Sequence, residues 1–408
     1  MSTLPASPET PTIPREIKVL IAAAFVIALG FGLIAPILPQ FAKSFDVGVA
    51  AAGFIVSVFA LTRLAFAPVS GRLTTALSEP PVYVGGVLIV AVSTIMCGFA
   101  QDYVQLLVFR AAGGLGSTMF TVSAMSLIAR LAPPEIRGRI SGYYAGSFLI
   151  GNIVGPVVGG FLAVFGYRLP FFIYGGALVV AAGIVYLSLL RVRSSKKRGP
   201  RDSRPAMLFT EALQDPIYRA ALVSGFANGW SNFGVRVALV PLFAAQVFDD
   251  GAALAGLSLG LFAIGNAVAL TVAGRVTDKH GRRMPVLVGL SVGSVAMAGI
   301  GLTDHEVLFI ALSIIAGAGI GFMNPAQQAA VADTIGREHN GGKVMAGFQM
   351  STDAGAILGP VVAGLIADQW GFGWAFAITG LIGLAGAGAW LALKEVPLDE
   401  RDGDPRTV

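Results

Sequence analysis

Twelve apolar runs, each long enough to cross a lipid bilayer as a helix, occupy most of this chain of 408 residues. Hydrophobic residues make up 55% of the chain and charged residues only 12%, about half the usual charged share of soluble domains. About 20 apolar residues suffice to cross the hydrocarbon layer as a helix. The runs lie at roughly 17–40, 49–70, 81–100, 103–129, 139–165, 169–190, 217–245, 253–273, 285–302, 305–332, 343–367 and 372–393. They predict an all-α membrane protein with twelve transmembrane helices.

Two repeated motifs divide these runs into two sets of six. Residues 151–160 (GNIVGPVVGG) return at 355–364 (GAILGPVVAG), 204 residues later (355 minus 151). Residues 71–72 (GR) return at 274–275, after 203 residues (274 minus 71). Parallel repeats of six spans are a known transporter architecture. We therefore predict a tail at 1–16, a six-helix bundle at 17–190, a cytoplasmic linker at 191–216, a second, pseudo-symmetric bundle at 217–393 and a tail at 394–408.

The lysine and arginine residues are distributed unevenly. Of the 28, Lys43 and Arg168 fall in outer loops and Arg63, Arg110 and Arg236 fall within spans, which leaves 23 (28 minus 2 minus 3) in cytoplasmic segments. This positive-inside bias predicts that both termini lie in the cytoplasm. We expect an integral protein of the plasma (inner) membrane of a bacterium. The net charge of +5 is then a topology signal and not a nucleic-acid surface. We expect Arg63 to extend towards the membrane interface.

Several motifs resemble those of the major facilitator superfamily, over essentially the full chain. Residues 274–283 (GRVTDKHGRR) are similar to the family's cytoplasmic loop motif, and residues 106–116 are similar to its span 4 motif. Residues 151–162 are similar to the span 5 motif of the twelve-span drug:proton antiporter branch. The loop-motif positions in this chain are Gly71, Arg72, Gly274, Asp278, Gly281, Arg282 and Arg283. The resemblance implies the family's fold and an antiporter function.

The first copy of the loop motif departs from the family pattern. Thr75 stands at the aspartate position, Ser78 at the later glycine, and Glu79 with Pro80 replaces the basic pair. The resemblance implies that this aspartate helps latch the two halves in the outward-facing state. We therefore expect Asp278 to be the intact copy.

The glycine-proline segments predict close helix packing. Gly151, Gly155 and Gly159 recur every four residues and form one smooth stripe, along which another helix can approach closely in lipid. Pro156 removes a backbone donor and favours a bend. We interpret the segments as a gating seam between the halves; the alternative is helix packing without gating. The residues of this prediction are Gly151, Gly155, Pro156, Gly159, Gly160, Gly355, Gly359 and Pro360.

Two charges inside spans are candidates for proton coupling. Arg110 lies well within span 4, where insertion of a charge costs about 2.5–3.5 kcal/mol, so it should face protein or water. The resemblance implies a role in proton transfer for this arginine. Asp353 is the only acidic residue deep in any span, and a carboxyl group there could load and release a proton in each cycle. A fixed ion pair between helices is the alternative for both residues.

Polar side chains in spans 4, 7 and 10 are candidates for the substrate cavity. Span 7 carries Ser224, Asn228, Asn232 and Arg236 at four-residue spacing, which places them along one flank of the helix. The resemblance implies that spans 1, 4, 7 and 10 line the central cavity. Hydrogen bonds that only hold the helices together are the alternative. The candidate cavity residues are Asn228, Asn232, Arg236, Asn324, Gln327, Gln328, Ser117 and Thr121.

The sequence does not contain the motifs of several classes of protein. The sequence has no phosphate-binding Walker loop, no metal-ligand spacing and no catalytic constellation, so we expect neither an enzyme nor a cofactor or metal. We predict a monomeric secondary active transporter whose partners are a small-molecule substrate, protons and the lipid bilayer. The preferred function is proton-coupled efflux of lipophilic or amphipathic compounds. Alternatives are a dedicated metabolite, siderophore or lipid transporter of the same fold, an importing symporter, or a receptor or scaffold that does not transport.

Overall fold

A computed structural model shows an all-helical architecture in the part of the chain that it describes, residues 13–133, 136–189, 205, 207–336, 339 and 341–393. Eleven of the described helices are long and apolar enough to cross a membrane. A twelfth, the seventh in chain order, is interrupted by a π-helical segment. The predicted fold class is therefore confirmed. Most of the predicted linker, both tails in large part and the side chain of Asp278 lie outside the described residues.

The transmembrane helices are numbered in chain order. In the first half they are α1 (Arg15–Ile34), α2 (Val49–Leu77), α3 (Glu79–Phe99), α4 (Tyr103–Leu131), α5 (Arg137–Leu162) and α6 (Leu169–Leu189). In the second half α7 joins Pro216–Asn228, the π-helical Gly229–Val235 and Arg236–Val247, followed by α8 (Gly251–His280), α9 (Arg283–Ile300), α10 (Glu306–Ile335), α11 (Gly342–Trp370) and α12 (Phe372–Leu391). Helices satisfy their own backbone hydrogen bonds, which a bilayer requires.

The two halves repeat one packing scheme. In the first half α1 packs on α5 and α6, α3 packs on α4 and α6, and α2 packs on α4. In the second half α7 packs on α11 and α12, α9 packs on α10 and α12, and α8 packs on α10. The halves meet along two seams, which also correspond to each other: α2 with α11, and α5 with α8.

The glycine stripe of α5 packs inside its own half. A Cβ atom at Gly151 would lie 2.7 Å from Ala28 Cβ, and one at Gly155 would lie 2.9 Å from Gly32 Cα, both on α1. Gly159 meets the backbone of Leu33 in the same way. The interpretation of this stripe as a seam between the halves is therefore corrected: it holds α5 against α1.

The stripe of α11 likewise packs on α7 of its own half. A Cβ atom at Gly355 would lie 2.6 Å from the Trp230 nitrogen, and one at Gly359 would lie 2.7 Å from the Trp230 carbonyl oxygen. One physical reason explains why the prediction for the glycine stripes was wrong in both halves: periodicity shows which residues share a helix face, but not which helix covers that face.

The contacts between the two halves are made by residues that adjoin the glycine stripes in the same glycine-proline segments. Across α5 and α8, a Cβ atom at Gly160 would lie 3.0 Å from Gly256 Cα, and Gly256 also meets the Pro156 carbonyl. Across α2 and α11, a Cβ atom at Gly53 would lie 2.7 Å from the Pro360 carbonyl oxygen. Gly160 and the two prolines thus hold the halves together.

A carboxylate from the second half binds the start of α2. Asp368 Oδ1 accepts a hydrogen bond from Val49 N at 2.7 Å, and Oδ2 accepts one from Ala50 N at 2.9 Å. The first amides of a helix have no partner within the helix and carry its positive dipole end, so they suit a carboxylate. Asp368 therefore fastens α11 to the first turn of α2.

The halves are in contact at one end of the bundle and apart at the other. We call the end where α1 begins and α12 ends the termini side, and the opposite end the loop side. All the seam contacts above lie in the loop-side half of the helices. Towards the termini side, Cβ atoms at Gly142, Gly146 and Gly274 would meet nothing within 4 Å, and Tyr143 is 44% exposed. A cavity between the halves thus opens to the termini side.

The two short loops after α2 and α8 have the same backbone geometry. Ser78 has φ 72° and Gly281, 203 residues later (281 minus 78), has φ 78°. With ψ near 180° at both positions, this conformation is nearly restricted to glycine. Ser78 therefore carries backbone strain that Gly281 does not.

Each of these two loops is followed by a residue that forms an ion pair with the end of another helix, and the acid and the base have exchanged places between the two pairs. Glu79 lies 3.3 Å from Arg130 at the end of α4, and Arg282 lies 3.0 Å from Asp333 near the end of α10. Glu79 corresponds to Arg282 and Arg130 to Asp333, each at an offset of 203 (282 minus 79; 333 minus 130). The departure at Glu79 therefore keeps the ion pair with its polarity reversed.

We predict that Gly159→Ala destabilises the protein whereas Gly146→Ala does not. The added methyl at 159 meets the Leu33 backbone, while the one at 146 meets open space on the same helix. Overpacking of this kind costs about 1–3 kcal/mol. Thermal unfolding in detergent measures both variants. Equal melting temperatures would contradict the packing of α5 on α1.

We predict that Ser78→Gly raises the melting temperature and that Gly281→Ser lowers it. The conformation at both positions costs a non-glycine residue about 1–3 kcal/mol. Thermal unfolding of the two single variants, with Ser126→Gly as a control inside helix α4, checks the prediction. A loss of stability in Ser78→Gly would contradict the strain at this loop.

We predict that Asp368→Ala opens the loop side. Each lost hydrogen bond to the carboxylate contributes about 1.5–3 kcal/mol to this contact. Spin labels at Lys43→Cys and Gln246→Cys, which line one cleft between the halves on this side, report the separation. The mean distance should lengthen in Asp368→Ala and stay unchanged in Asp304→Ala, whose carboxylate is in an exposed loop on the same side. An unchanged distance in both variants would exclude this role.

Candidate substrate and coupling site

One acid, Asp353, lies just past the last close contact of α11 with α2, on the termini side. Asp353 on α11 is half-buried, and its Oδ1 accepts a hydrogen bond from Gln349 Nε2 at 3.0 Å. The Arg63 guanidinium of α2 acts on its charge, but none of the ion pairs among the described residues joins the two side chains. The Arg63 side chain is exposed.

Helix register explains this position. The Ser57 hydroxyl of α2 donates to the Ile357 carbonyl of α11 at 2.7 Å, across two antiparallel helices. One turn further towards the termini side, four residues on each helix, the same register brings Asp353 opposite Leu61. Arg63 is two residues beyond Leu61. The pair therefore lies just past the last close contact of the α2–α11 seam.

The expectation that Arg63 extends towards the membrane interface stays a prediction. Its side chain is exposed, and the charge of Asp353 acts on it. The available signal was that Asp353 is the only acid deep in a span and needs a compensating charge. Three arginines in spans could supply that charge; the register of α2 on α11 places Leu61 opposite Asp353, and Arg63, two residues further, lies about 200° round the helix from Leu61.

Arg110 and Arg236 are stacked on aromatic rings instead. Arg110 is 8% exposed, and its guanidinium carbon lies 4.1 Å from the ring centre of Phe59 on α2. The guanidinium carbon of Arg236 lies 3.6 Å from the ring centre of Phe262 on α8. Phe59 and Phe262 are counterparts in the repeat (262 minus 59 is 203). Cation–π contact compensates part of the cost of burying each charge.

Three asparagines join α7 to α10. Asn232 Nδ2 donates to Asn228 Oδ1 at 3.0 Å, and Asn228 Nδ2 donates to Asn324 Oδ1 at 3.3 Å. Asn228 and Asn232 are buried, and Asn324 is half-buried. A chain of amides retains free donor and acceptor capacity at its ends, since each amide can make up to four hydrogen bonds. The amide chain is therefore a candidate for binding a polar group of a substrate.

The two glutamines of α10 face different surroundings. Gln327 is 1% exposed, and its Nε2 donates to Ser224 Oγ at 2.7 Å. Ser224 Oγ also accepts from Trp390 Nε1 at 2.9 Å. These groups are therefore used in packing α7, α10 and α12 together. Gln328 is exposed and remains the more accessible of the pair.

The candidate polar residues of α4 are buried or half-buried, and the hydrogen bond between them lies within that helix. Ser117 is buried, and Thr121 is half-buried with its hydroxyl donating to the Ser117 carbonyl at 2.8 Å. The structure thus separates the predicted residues into three groups: Asp353 at the α2–α11 seam, the amides of α7 and α10 within the second half, and Arg110, Ser117 and Thr121 within the first.

The π-helical segment of α7 had no sequence signal. It covers Gly229–Val235 and lies where α7 packs on the stripe of α11. Single π-turns occur frequently at functional sites because they re-aim side chains on a helix. The segment includes Asn232, so it alters the direction of one member of the amide chain relative to a regular helix.

Comparisons with known proteins agree with this architecture. The family model described as Major Facilitator Superfamily matches residues 20–251 and 221–407. Multidrug resistance protein 1 of Bacillus subtilis (strain 168) is 26% identical over 385 residues, which cover 92% of this chain and 96% of the relative. Quinolone resistance protein NorA of Staphylococcus aureus (strain MRSA252) is 28% identical over 249 residues, 61% of this chain and 64% of that protein.

A solved structure has the same fold. A bacterial homologue of the human lysosomal transporter Spinster, in an inward-facing and occupied conformation, superposes with a TM-score of 0.74. The two share 16% sequence identity, and the match covers 92% of this chain and 95% of that one. The repeated packing scheme, the two seams and the match of the family model to both halves lead to one conclusion: this chain is a membrane transporter of the major facilitator superfamily.

Proposed function

We propose that this protein is a proton-coupled exporter of small lipophilic or amphipathic compounds. Rigid-body rocking of residues 17–190 against 217–393 would expose the central cavity alternately to the two sides of the membrane. With the termini in the cytoplasm, as the lysine and arginine distribution predicts, the observed cavity opens inwards. Drug-type cargo would enter from there.

The observation that carries the proposal is the position of Asp353. A carboxyl group at the edge of the cavity can exchange protons with water on the side to which the cavity opens. It lies on α11, which also forms the α2–α11 seam, so its charge acts on a helix that moves when the halves rock. Arg110 would contribute by ordering the interior of the first half around Phe59.

Cavity chemistry supports lipophilic cargo. The polar groups are few: the amides of α7 and α10, and the charges at the seam, among helices that are mostly apolar. Ligand sites that are largely apolar with a few placed polar groups suit drug-sized compounds. The names of two relatives, a multidrug resistance protein and a quinolone resistance protein, agree with this class of substrate.

We predict that Asp353→Asn abolishes proton-driven transport and spares ligand binding. Purified protein in liposomes with an acidic interior should accumulate a lipophilic cationic dye, because protons leave as the dye enters. In Asp353→Asn the accumulation should fall to the level of liposomes without protein, because the amide cannot carry a proton. Binding of the dye in detergent, followed by its fluorescence, should remain.

The matched control is Leu149→Asn, the same amide placed at the counterpart of Asp353 on α5 (353 minus 204). It should retain accumulation. Accumulation that requires an acidic exterior would indicate symport, and accumulation of a dedicated metabolite but of no lipophilic cation would assign a narrower substrate. Full gradient-driven activity in Asp353→Asn would refute the role of this acid.

A further inference from the structure

An apolar groove runs between α1 and α6 on the outer surface of the first half. Its volume is about 340 Å³, and every residue that lines it is alanine, valine or isoleucine. Six of these residues are Val19, Ala22 and Val26 of α1 and Ala177, Val180 and Ile184 of α6. Helix α6 packs on α1 and α3 of its own half, and most of its large exposed side chains are apolar. The groove therefore faces the lipid and not the cavity between the halves.

In the second half, a tryptophan fills the corresponding space. Cβ atoms at Gly175 of α6 and Gly380 of α12 would meet equivalent carbonyl groups on α3 and α9, so α6 and α12 correspond at an offset of 205 (380 minus 175). The counterpart of Val185, which lines the groove, is then Trp390. Trp390 is 1% exposed, and its indole nitrogen donates to Ser224 Oγ of α7 at 2.9 Å. The smaller side chain of Val185 leaves the groove between α1 and α6 open.

The termini-side end of the groove is basic. Arg15, the first residue of α1, shares a helix face with Val19, four residues later. It lies about 14 Å along the axis from the middle of α1, about half the thickness of a hydrocarbon core, which is the level of the lipid head groups. Arg15 and Lys18 are exposed, and neither takes part in an ion pair among the described residues. Glu16 is half-buried and lies on the protein-facing side of the helix, with Leu20.

We propose that the groove binds an anionic phospholipid, with an acyl chain along α1 and α6 and its phosphate beside Arg15 and Lys18. The first backbone amides of α1 have no side-chain cap, so they also attract an anion. With the termini in the cytoplasm, as the lysine and arginine distribution predicts, this leaflet is the cytoplasmic one, which has a negative surface potential. The inference goes beyond the proposed function: α1 and α6 belong to the same half, so rocking of the halves leaves the groove unchanged.

A second copy of this chain suits the groove less well than a lipid does. Two copies paired symmetrically through this face would bring both sets of Arg15 and Lys18 to the same side of the membrane, where like charges repel. Within a bilayer, association depends on close packing, because the lipid is as apolar as the helices. A flexible acyl chain can fill the space between two fixed helices, and the basic residues add selectivity for its head group.

The test compares anionic and neutral lipid at one labelled residue. Val180→Cys carries a bimane label in the groove, and Leu381→Cys on α12 is the reference, since both residues are 63% exposed. The single native cysteine, Cys97, is buried and will not take up label. In nanodiscs, brominated phosphatidylglycerol mixed with unbrominated phosphatidylcholine quenches the label where it binds, and the reverse mixture reports phosphatidylcholine. Each basic side chain near anionic lipid contributes about 1 kcal/mol, or about five-fold. We expect phosphatidylglycerol to be preferred at least about five-fold at Val180→Cys and not at Leu381→Cys.

Variants assign the parts of the site. Arg15→Gln with Lys18→Gln should reduce the preference at Val180→Cys to nearly one. Arg219→Gln, which removes an exposed charge from the first turn of α7, should leave the preference unchanged. Ala22→Phe should weaken quenching by both lipids, because the ring enters the groove. Ala22 is exposed, so this ring displaces no buried side chain. Gel filtration and thermal unfolding establish that each variant folds.

Three results would overturn the inference. The first is equal quenching by both lipids at Val180→Cys, as at an ordinary lipid-facing surface. The second is a preference that survives the loss of both basic side chains. The third is weak quenching by either lipid together with a dimer in gel filtration, which would assign the groove to a second copy. The test measures no transport, so its failure and that of the proposed function are distinguishable.

Discussion

Close backbone approach between helices is the constraint on which this structure depends. Lipid tails are as apolar as the helices, so burial of apolar surface does not drive the helices together, and dispersion contact at short range must do so. The segments around Pro156 and Pro360 provide that contact on two faces at once. One face, the glycine stripe, holds each segment to the first helix of its own half. The adjacent face, with Gly160 in one half and Gly364 in the other, forms the contact between halves.

This double use agrees with the proposed rocking, in which each half is rigid and the two halves move against each other. Each half is held by many helix pairs, whereas the halves meet mainly at α2–α11 and α5–α8, with smaller contacts of α7 on α2 and on the short helix Leu38–Lys43. Contacts at those seams are backbone to backbone and occur near the loop side, with Asp368 as a charged addition. A rearrangement that opens the loop side has to separate these few contacts and can leave the interior of each half unchanged.

The sequence predicted the fold and the family because span length, repeats and charge distribution are properties of single helices and loops. It also predicted that residues 151, 155 and 159 share one face. It could not predict that α1 covers that face, because contacts between helices depend on register and rotation in three dimensions. The same reason applies to Ser57, whose hydrogen-bond partner, the Ile357 carbonyl, is 300 positions away. In the sequence, Glu79 is a departure from the loop motif. In the structure, Glu79 and Arg130 form the counterpart of the ion pair between Arg282 and Asp333, with the charges exchanged.

In the proposed function, a proton and a lipophilic substrate exclude each other through the charge of Asp353 at the α2–α11 seam. Its most direct measurement is proton release on binding a lipophilic cation such as tetraphenylphosphonium, followed with a pH indicator in weakly buffered detergent solution. The protein should release protons as the cation binds, and Asp353→Asn should bind the cation without release. Binding by the unmodified protein with no change in pH would refute this role of Asp353.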